Sequence, residues 1–187
     1  MRFSDLLCTL NKPSLDDFHS WVFQSGMLFN APNKWWGDRA QRDFPHEGVD
    51  FCLYKTLSGK TRQLSHHTNI PVIHDGIVKH IFPDYLGQAV IVEHDTLKSE
   101  KITTISIYAH AIPMKQLHAG VCVKLGEVIA TIADTRQSKT PILPHLHYTL
   151  GRASADIDYE HFVWNDMRNP DLVRLMDPLS AISDHYV

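Results

Sequence analysis

Short β-type runs separated by turn residues dominate the chain from about residue 49 onward. The runs are rich in β-branched and aromatic residues, and Gly76, Gly87, Gly120 and Gly126 punctuate them as turns or bulges would. No segment here is long and helically periodic, so the pattern favours strands over helices. We therefore predict a mainly β fold, an antiparallel sheet or sandwich-like core, with strands at Val49–Leu53, Pro71–Ile81, Gln88–Glu93, Thr104–His110, Val128–Ala133 and His147–Leu150.

The two ends of the chain differ from this central part. Ser14 is a helix-capping residue type, and the segment after it predicts a short helix to about Gly26, followed by an ordered loop over 27–45. Near the other end, a cap and an early proline predict a helix over Asn169–Met176. We expect an N-terminal helix and loop extension (1–43), a β core (44–151) and a helical C-terminal extension packed on the core (152–187).

Length and composition favour a single globular domain with appendages. The chain has 187 residues, of which 43% are hydrophobic and 21% charged. A net charge of -3 gives no electrostatic reason to expect nucleic acid as a partner. No run approaches the roughly 20 apolar residues of a membrane-spanning helix, so no membrane span is expected. The oligomeric state is left open.

Cysteines and the N-terminal segment bear on the compartment. Cys8, Cys52 and Cys122 cannot all pair within one chain, which favours free thiols over a disulfide scaffold. The first apolar run is broken by Asp5 and is too short for a secretory signal. Taken alone this favours the cytoplasm, whereas a trimmed mature chain would be periplasmic or extracellular.

The segment His145-Leu146-His147 offers two imidazoles on one face of a strand. Residues two apart on a strand point the same way and are separated by roughly 6.6 Å. One ring is therefore placed to bind a metal while the other reaches a bound water or a substrate. The alternative is a pair of surface histidines on an edge strand.

His46 and Asp50 are four residues apart, and Gly48 lies between them. Glycine is unfavourable inside a helix, and on a fully extended strand the two residues would be about 13 Å apart, too far to share one ion. Both can bind the same metal only if the chain bends, which Gly48 permits. We therefore place His46 in a loop and Asp50 on the first strand; the alternative is a solvated acidic loop.

Other candidates have ordinary structural interpretations. His110 lies beside Tyr108 on one strand face, and a lone strand histidine is usually structural. His94 is given a supporting role. Cys52 shares a strand face with Asp50, so a thiolate ligand is an alternative, although a buried inert thiol is favoured. Trp35 and Trp36 either wall a groove or, as we favour, anchor packing.

Together these motifs resemble those of the LytM/lysostaphin-type zinc endopeptidases, whose domain is similar to the duplicated hybrid motif. The resemblance covers about residues 44–151 and is carried by His46–Phe51, Asp75–Val78, Val90–His94, Tyr108–His110, Gly120–Ala130 and Pro144–Tyr148. It implies that His46, Asp50 and His147 bind Zn²⁺ and that His110 and His145 are catalytic. The implied substrate is a peptide bond in peptidoglycan cross-links or stem peptides.

The sequence also departs from the family pattern. Ala111 stands where leucine is common, and 130–137 replaces a glycine-rich run. The tail over 153–177 is longer than the family's closing segment. The first two differences fall on groove loops and leave the substrate open.

The expected mechanism follows from this ligand set. Two imidazoles and one carboxylate leave an open zinc position, where the pKa of a bound water falls toward roughly 7. His145 or His110 would take the proton, and the other would assist the developing oxyanion. The alternatives are a non-enzymatic binding or regulatory module that retains zinc, and phosphotransfer through paired histidines on a similar β fold.

Overall fold

The computed structural model describes residues 2–94, 102–136, 138–139, 141–182 and 184–186. Within these ranges there is one α-helix, α1 (Phe3–Leu10). The strands are β1 (Phe18–Val22), β2 (Val49–Phe51), β3 (Leu53–Thr56), β4 (Thr61–Gln63), β5 (Asn69–Pro71), β6 (Gly76–Pro83), β7 (Gln88–His94), β8 (Ile102–Pro113), β9 (Cys122–Val123), β10 (Val128–Ile132), β11 (Leu146–Ser154) and β12 (Val173–Met176). In the described part of the chain, no helix is long and apolar enough to span a membrane.

The main sheet is antiparallel and has the strand order β12-β11-β8-β7-β6-β9, with β2 paired to β11 and β10 paired to β8 and β5. This confirms the mainly β fold class. β8 is buried along most of its length because β7 and β11 flank it and side chains cover both faces. Tyr108 joins one hydrophobic cluster, whereas Ile107 and Ala109 join the other, as the two-residue period of a strand requires.

A smaller sheet with the order β1-β3-β4 packs with α1 in the hydrophobic cluster that contains Tyr108. The rings of Phe3 and Trp21 both contact Phe51 on β2, at centroid distances of 5.0 and 4.9 Å. Asp184 accepts hydrogen bonds from the Ser4 hydroxyl and from Trp21 Nε1, each at 2.9 Å. The C-terminal end is thereby held against the N-terminal helix, beneath the strand that carries Asp50.

The helix predicted over residues 14–26 is wrong. The N-terminal helix lies earlier, at α1, and Phe18–Val22 forms β1, in which Trp21 is opposite Tyr54 of β3. A helix there would forgo this strand pairing and the burial of Trp21, which has no exposed surface. Long-range pairing therefore outweighs the local capping pattern at Ser14.

The helix predicted over Asn169–Met176 is also wrong. Val173–Met176 forms β12, and Val173 pairs with Ala153 because β11 continues beyond Leu150 and offers a free edge. The described part of 152–187 contains two 3₁₀ helices, Trp164–Arg168 and Pro178–Ser180, and no α-helix.

The predicted central strands are found with altered ends. Val49–Leu53 is interrupted at Cys52, and Pro71–Ile81 divides into β5 and β6. The other four predicted strands correspond to β7, β8, β10 and β11. Gln137, the last residue of the run that departs from the family pattern, lies outside the described residues.

Candidate metal centre

His46, Asp50 and His147 converge at the junction of β2 and β11. His46 precedes β2, Asp50 lies on it, and His147 is directly opposite Asp50 on β11. One ligand atom from each residue lies within 4.8 Å of the others, and all three residues are buried. The structure therefore brings together three residues that could hold a metal ion.

The chain bends sharply at Gly48. His46 Nε2 lies 3.2 Å from Asp50 Oδ1, far closer than an extended segment allows. A Cβ on Gly48 would overlap the carbonyl oxygen of Tyr148 and would lie 2.9 Å from His147 Nε2. Glycine is therefore required here because the loop runs directly against β11.

The hydrogen bonds of His46 determine its tautomer, and therefore which ring nitrogen is an acceptor. Nδ1 lies 2.9 Å from the carbonyl oxygen of Leu28, and since a carbonyl only accepts, Nδ1 must donate. In the neutral ring Nε2 is then an acceptor, yet it faces Asp50 Oδ1 at 3.2 Å and His147 Nδ1 at 3.0 Å. His46 Nε2 and Asp50 Oδ1 are therefore two acceptors that repel each other unless a proton or a metal cation lies between them.

Asp50 is held as a carboxylate by its surroundings. Burial acts to raise its pKa, but nearby His46 and His145 and the hydrogen bond with His147 outweigh burial and hold the pKa well below its ordinary value. Trp35 Nε1 donates to Asp50 Oδ2 at 2.6 Å. Oδ1 is left for the cluster, so Trp35 orients the carboxylate in addition to packing.

His145 lies immediately before β11 on the same side as His147. Its Nδ1 donates to the Leu143 carbonyl at 2.8 Å, so its Nε2, 3.8 Å from Asp50 Oδ1, carries the lone pair. Burial lowers the pKa of His145 to about 3. The ring is therefore neutral near pH 7 and able to accept a proton.

His110 lies on β8, and its ring faces the other two histidines. Its centroid is 4.8 Å from that of His145 and 5.7 Å from that of His147. All five residues singled out by the sequence therefore lie in one place.

A cavity opens onto this group, and the C-terminal extension forms one of its walls. The Trp164 ring lies 5.4 Å from that of His147. Arg168 stacks 3.9 Å above the Phe44 ring and pairs with Glu47 at 3.3 Å. Trp36, Arg42 and Tyr85 line other parts of the cavity. These contacts tie 164–168 to the loop that carries His46.

The remaining sequence candidates lie outside the cluster. Cys52 Sγ donates to the Pro144 carbonyl at 3.5 Å, and burial raises the pKa of its thiol to about 12. His94 lies beyond the site, where its ring nitrogens contact the Asp75 carbonyl and the Ser106 hydroxyl. Trp164 was not among the sequence candidates, because it lies far along the chain and in no recognisable motif.

The part of the chain that forms this site also matches a known protein family. The model of "Peptidase family M23" matches residues 45–159, more than half of the chain. No curated protein matches.

Similar solved structures include a zinc-containing peptidase from Vibrio cholerae, 22% identical with a TM-score of 0.45, covering 86% of this chain and 39% of that one. The catalytic domain of the antimicrobial peptidase lysostaphin from Staphylococcus simulans is 14% identical with a TM-score of 0.46, covering 97% and 98%. A mutant catalytic domain of the prophage-encoded M23 protein EnpA from Enterococcus faecalis is 18% identical with a TM-score of 0.40, covering 73% and 87%. The chain thus spans well under half of the Vibrio protein.

Proposed function

The chain belongs to peptidase family M23, and on that premise we propose that it is a zinc-dependent metalloendopeptidase that hydrolyses peptide bonds in peptidoglycan cross-links or stem peptides. The observation that carries the proposal is the convergence of His46, Asp50 and His147 within 4.8 Å. Their facing atoms include a carboxylate oxygen and an imidazole acceptor, a combination that calls for a cation.

The donor set suits zinc. Two imidazoles and a carboxylate are ligands that catalytic zinc sites use. Each ligand is supported from behind, as zinc ligands in proteins generally are: His46 by the Leu28 carbonyl, Asp50 by Trp35, and His147 by the Thr149 hydroxyl at 3.0 Å. When bound, Zn²⁺ would supply a Lewis acid that polarises the scissile carbonyl and increases the acidity of water.

We assign proton transfer to His110 and His145. His145 Nε2 carries the lone pair because Nδ1 donates to the Leu143 carbonyl, so Nε2 can accept a proton and return it to the leaving amine. His110, whose ring lies beside it, can donate to the oxygen that becomes negative as the carbonyl is attacked only after its Nε2 has received a proton. Either ring can take either role in this arrangement, and both line the cavity.

The cavity walls suit a peptide. Trp36, Phe44, Tyr85 and Trp164 provide aromatic surface along it. Arg42 and Arg168 also line the cavity, but Arg168 is paired with Glu47, so Arg42 is the cationic group that would favour a substrate carrying carboxylates, as stem peptides do.

A digest of purified peptidoglycan, with products identified by mass spectrometry, tests the proposed activity. We expect new amino and carboxyl termini with the zinc-loaded wild type, and at least a 10²-fold lower rate with His145→Ala. His118→Ala, which removes an exposed histidine outside the cavity, is the matched control and should retain full activity. Equal rates for wild type and His145→Ala would contradict the catalytic assignment.

A second candidate is a non-enzymatic binding or regulatory module that retains zinc. The contact between the Trp164 and His147 rings favours this second function, because the Trp164 side chain occupies space through which a substrate would reach His147. Stoichiometric zinc and peptidoglycan binding, without any cleaved product, would support this function over hydrolysis.

A further inference from the structure

Asp84 and His110 form a second, buried pair at the edge of the cavity. Asp84 follows β6, and its Oδ1 accepts from the backbone N–H groups of Leu86 and Gly87 at 2.8 and 2.6 Å. Its Oδ2 accepts from the backbone N–H of His110 at 2.5 Å and lies 3.3 Å from His110 Nδ1. One carboxylate therefore fixes the β6–β7 turn and contacts both the backbone and the ring of His110.

The backbone of His110 requires such support. Its φ is 59°, in the left-handed region that is unfavourable for a residue with a Cβ. The hydrogen bond to Asp84 holds one side of the residue, and its carbonyl accepts from the backbone N–H of Ala133 at 2.7 Å on the other. An unusual backbone conformation fixed from both sides aims the side chain in one direction.

The Asp84 carboxyl is ionised. Only 1% of its side chain is exposed, and burial acts to raise its pKa, but the hydrogen bonds from His110 and Gly87 outweigh burial and lower it to about 2. A carboxylate only accepts hydrogen bonds. His110 Nδ1 is buried and, among the described residues, makes no hydrogen bond of good geometry; Asp84 Oδ2, 3.3 Å away, is the acceptor that lies next to it.

We propose that Asp84 is a positioning residue that holds the Nδ1 proton of His110 and leaves Nε2, on the opposite side of the ring, as the nitrogen that serves the reaction. This inference rests on the proposed function, because it assigns a role within the same site. Asp84 acts through His110 and contributes no group to the substrate. The two residues are 26 positions apart, and their contact depends on the β6–β7 turn lying against the end of β8.

The tautomer of His110 tests the proposal without any assay of hydrolysis. Long-range ¹H–¹⁵N NMR of the zinc-loaded protein distinguishes a protonated Nδ1 from a protonated Nε2, with the His110 signals assigned by their loss in His110→Ala. We expect Nδ1–H in the wild type. In Asp84→Asn the amide oxygen would stay with the N–H groups of Leu86 and Gly87, which places the NH₂ at the ring as a donor, so we expect a shift toward Nε2–H. A wild-type ring protonated at Nε2, or a tautomer unchanged in Asp84→Asn, would overturn the proposal.

Kinetics separate positioning from a merely structural role. Asp84→Asn should lower kcat about 10²-fold or more, with KM within about twofold and zinc content unchanged. In a His110→Ala background the same substitution should cause no further loss, since Asp84 then has no ring to position. Asp158→Asn, at an exposed carboxylate, is the matched control. An equal loss in both backgrounds would overturn the proposal.

The outcomes also distinguish the two proposals. If the protein hydrolyses no peptidoglycan yet His110 carries its proton on Nδ1 and loses it in Asp84→Asn, the proposed function fails and the positioning stands. If Asp84→Asn does not fold, the wild-type tautomer still decides the matter.

Discussion

Asp50 and His147 lie directly opposite each other on β2 and β11, with Asp50 Oδ1 2.8 Å from His147 Nδ1. Strand register, and not spacing along the chain, brings them together across 97 positions. A slip of one residue would turn one side chain to the other face of the sheet. The bend at Gly48 lies directly against β11, and this close approach places His46 beside the Asp50–His147 pair.

Trp35→Phe should weaken zinc binding while leaving the fold intact. The change removes the N–H that donates to Asp50 Oδ2 at 2.6 Å but keeps an aromatic ring in the same space. Loss of a group that orients a ligand typically costs about 10- to 100-fold in metal affinity. Competition with a chromophoric chelator measures this. Trp36→Phe, at the neighbouring residue with no bond to Asp50, should bind zinc as the wild type does; equal affinity in both variants would exclude an orienting role for Trp35.

Gly48→Ala should both destabilise the fold and reduce zinc occupancy. Its Cβ would overlap the Tyr148 carbonyl, so the loop must move away from β11 and carry His46 with it. Overpacking of this kind costs roughly 1–3 kcal/mol, measurable by urea unfolding. Gly59→Ala is a control whose Cβ meets no atom within 4 Å, although its φ of 81° adds backbone strain. Gly59→Ala should keep full zinc occupancy. Full zinc occupancy in Gly48→Ala as well would show that zinc binding does not require the bend at Gly48.

Trp164→Ala should raise KM with little change in zinc content. The ring forms a cavity wall beside His147, and its removal takes apolar contact from any bound peptide. We expect a several-fold higher KM in a steady-state assay with a soluble peptide derived from the digest. Val163→Ala, at the exposed neighbouring side chain, should have no effect. A higher kcat/KM in Trp164→Ala would instead show that the ring obstructs the cavity.

The three thiols should differ sharply in reactivity. Burial raises the pKa of Cys52 to about 12 and that of half-buried Cys8 to about 11, so at pH 8 both are almost entirely protonated and slow to react. Cys122 is exposed. A disulfide reagent should therefore label Cys122 first and Cys52 only on unfolding. Cys52→Ser should keep its zinc; loss of zinc in this variant would revive the thiolate-ligand alternative.

Local patterns predicted the parts of the molecule that depend on neighbouring residues. The two-residue period of strands and the glycine between His46 and Asp50 were sufficient to predict the β core and the bend. These local patterns could not predict which distant segments of the chain pair as strands. Phe18–Val22 becomes a strand because β3 lies beside it, and Val173–Met176 does so because β11 offers an edge.

The same limit applied to the site. The five histidine and aspartate positions lie in short motifs, so their residue types and spacing were informative. From the sequence, Trp35 could be described only as an aromatic residue, because its hydrogen bond to Asp50 depends on how the loop before β2 folds. Asp84 lies in no motif, and only the fold of the β6–β7 turn brings it to His110.

Zinc stoichiometry tests the central claim most directly. Wild type, His147→Ala and His145→Ala, each exchanged against a weak chelator, would be measured by elemental mass spectrometry. We predict one zinc per chain in the wild type and in His145→Ala, and almost none in His147→Ala. Full zinc occupancy in His147→Ala, or loss of zinc from His145→Ala alone, would contradict the assignment of His46, Asp50 and His147 as the metal ligands.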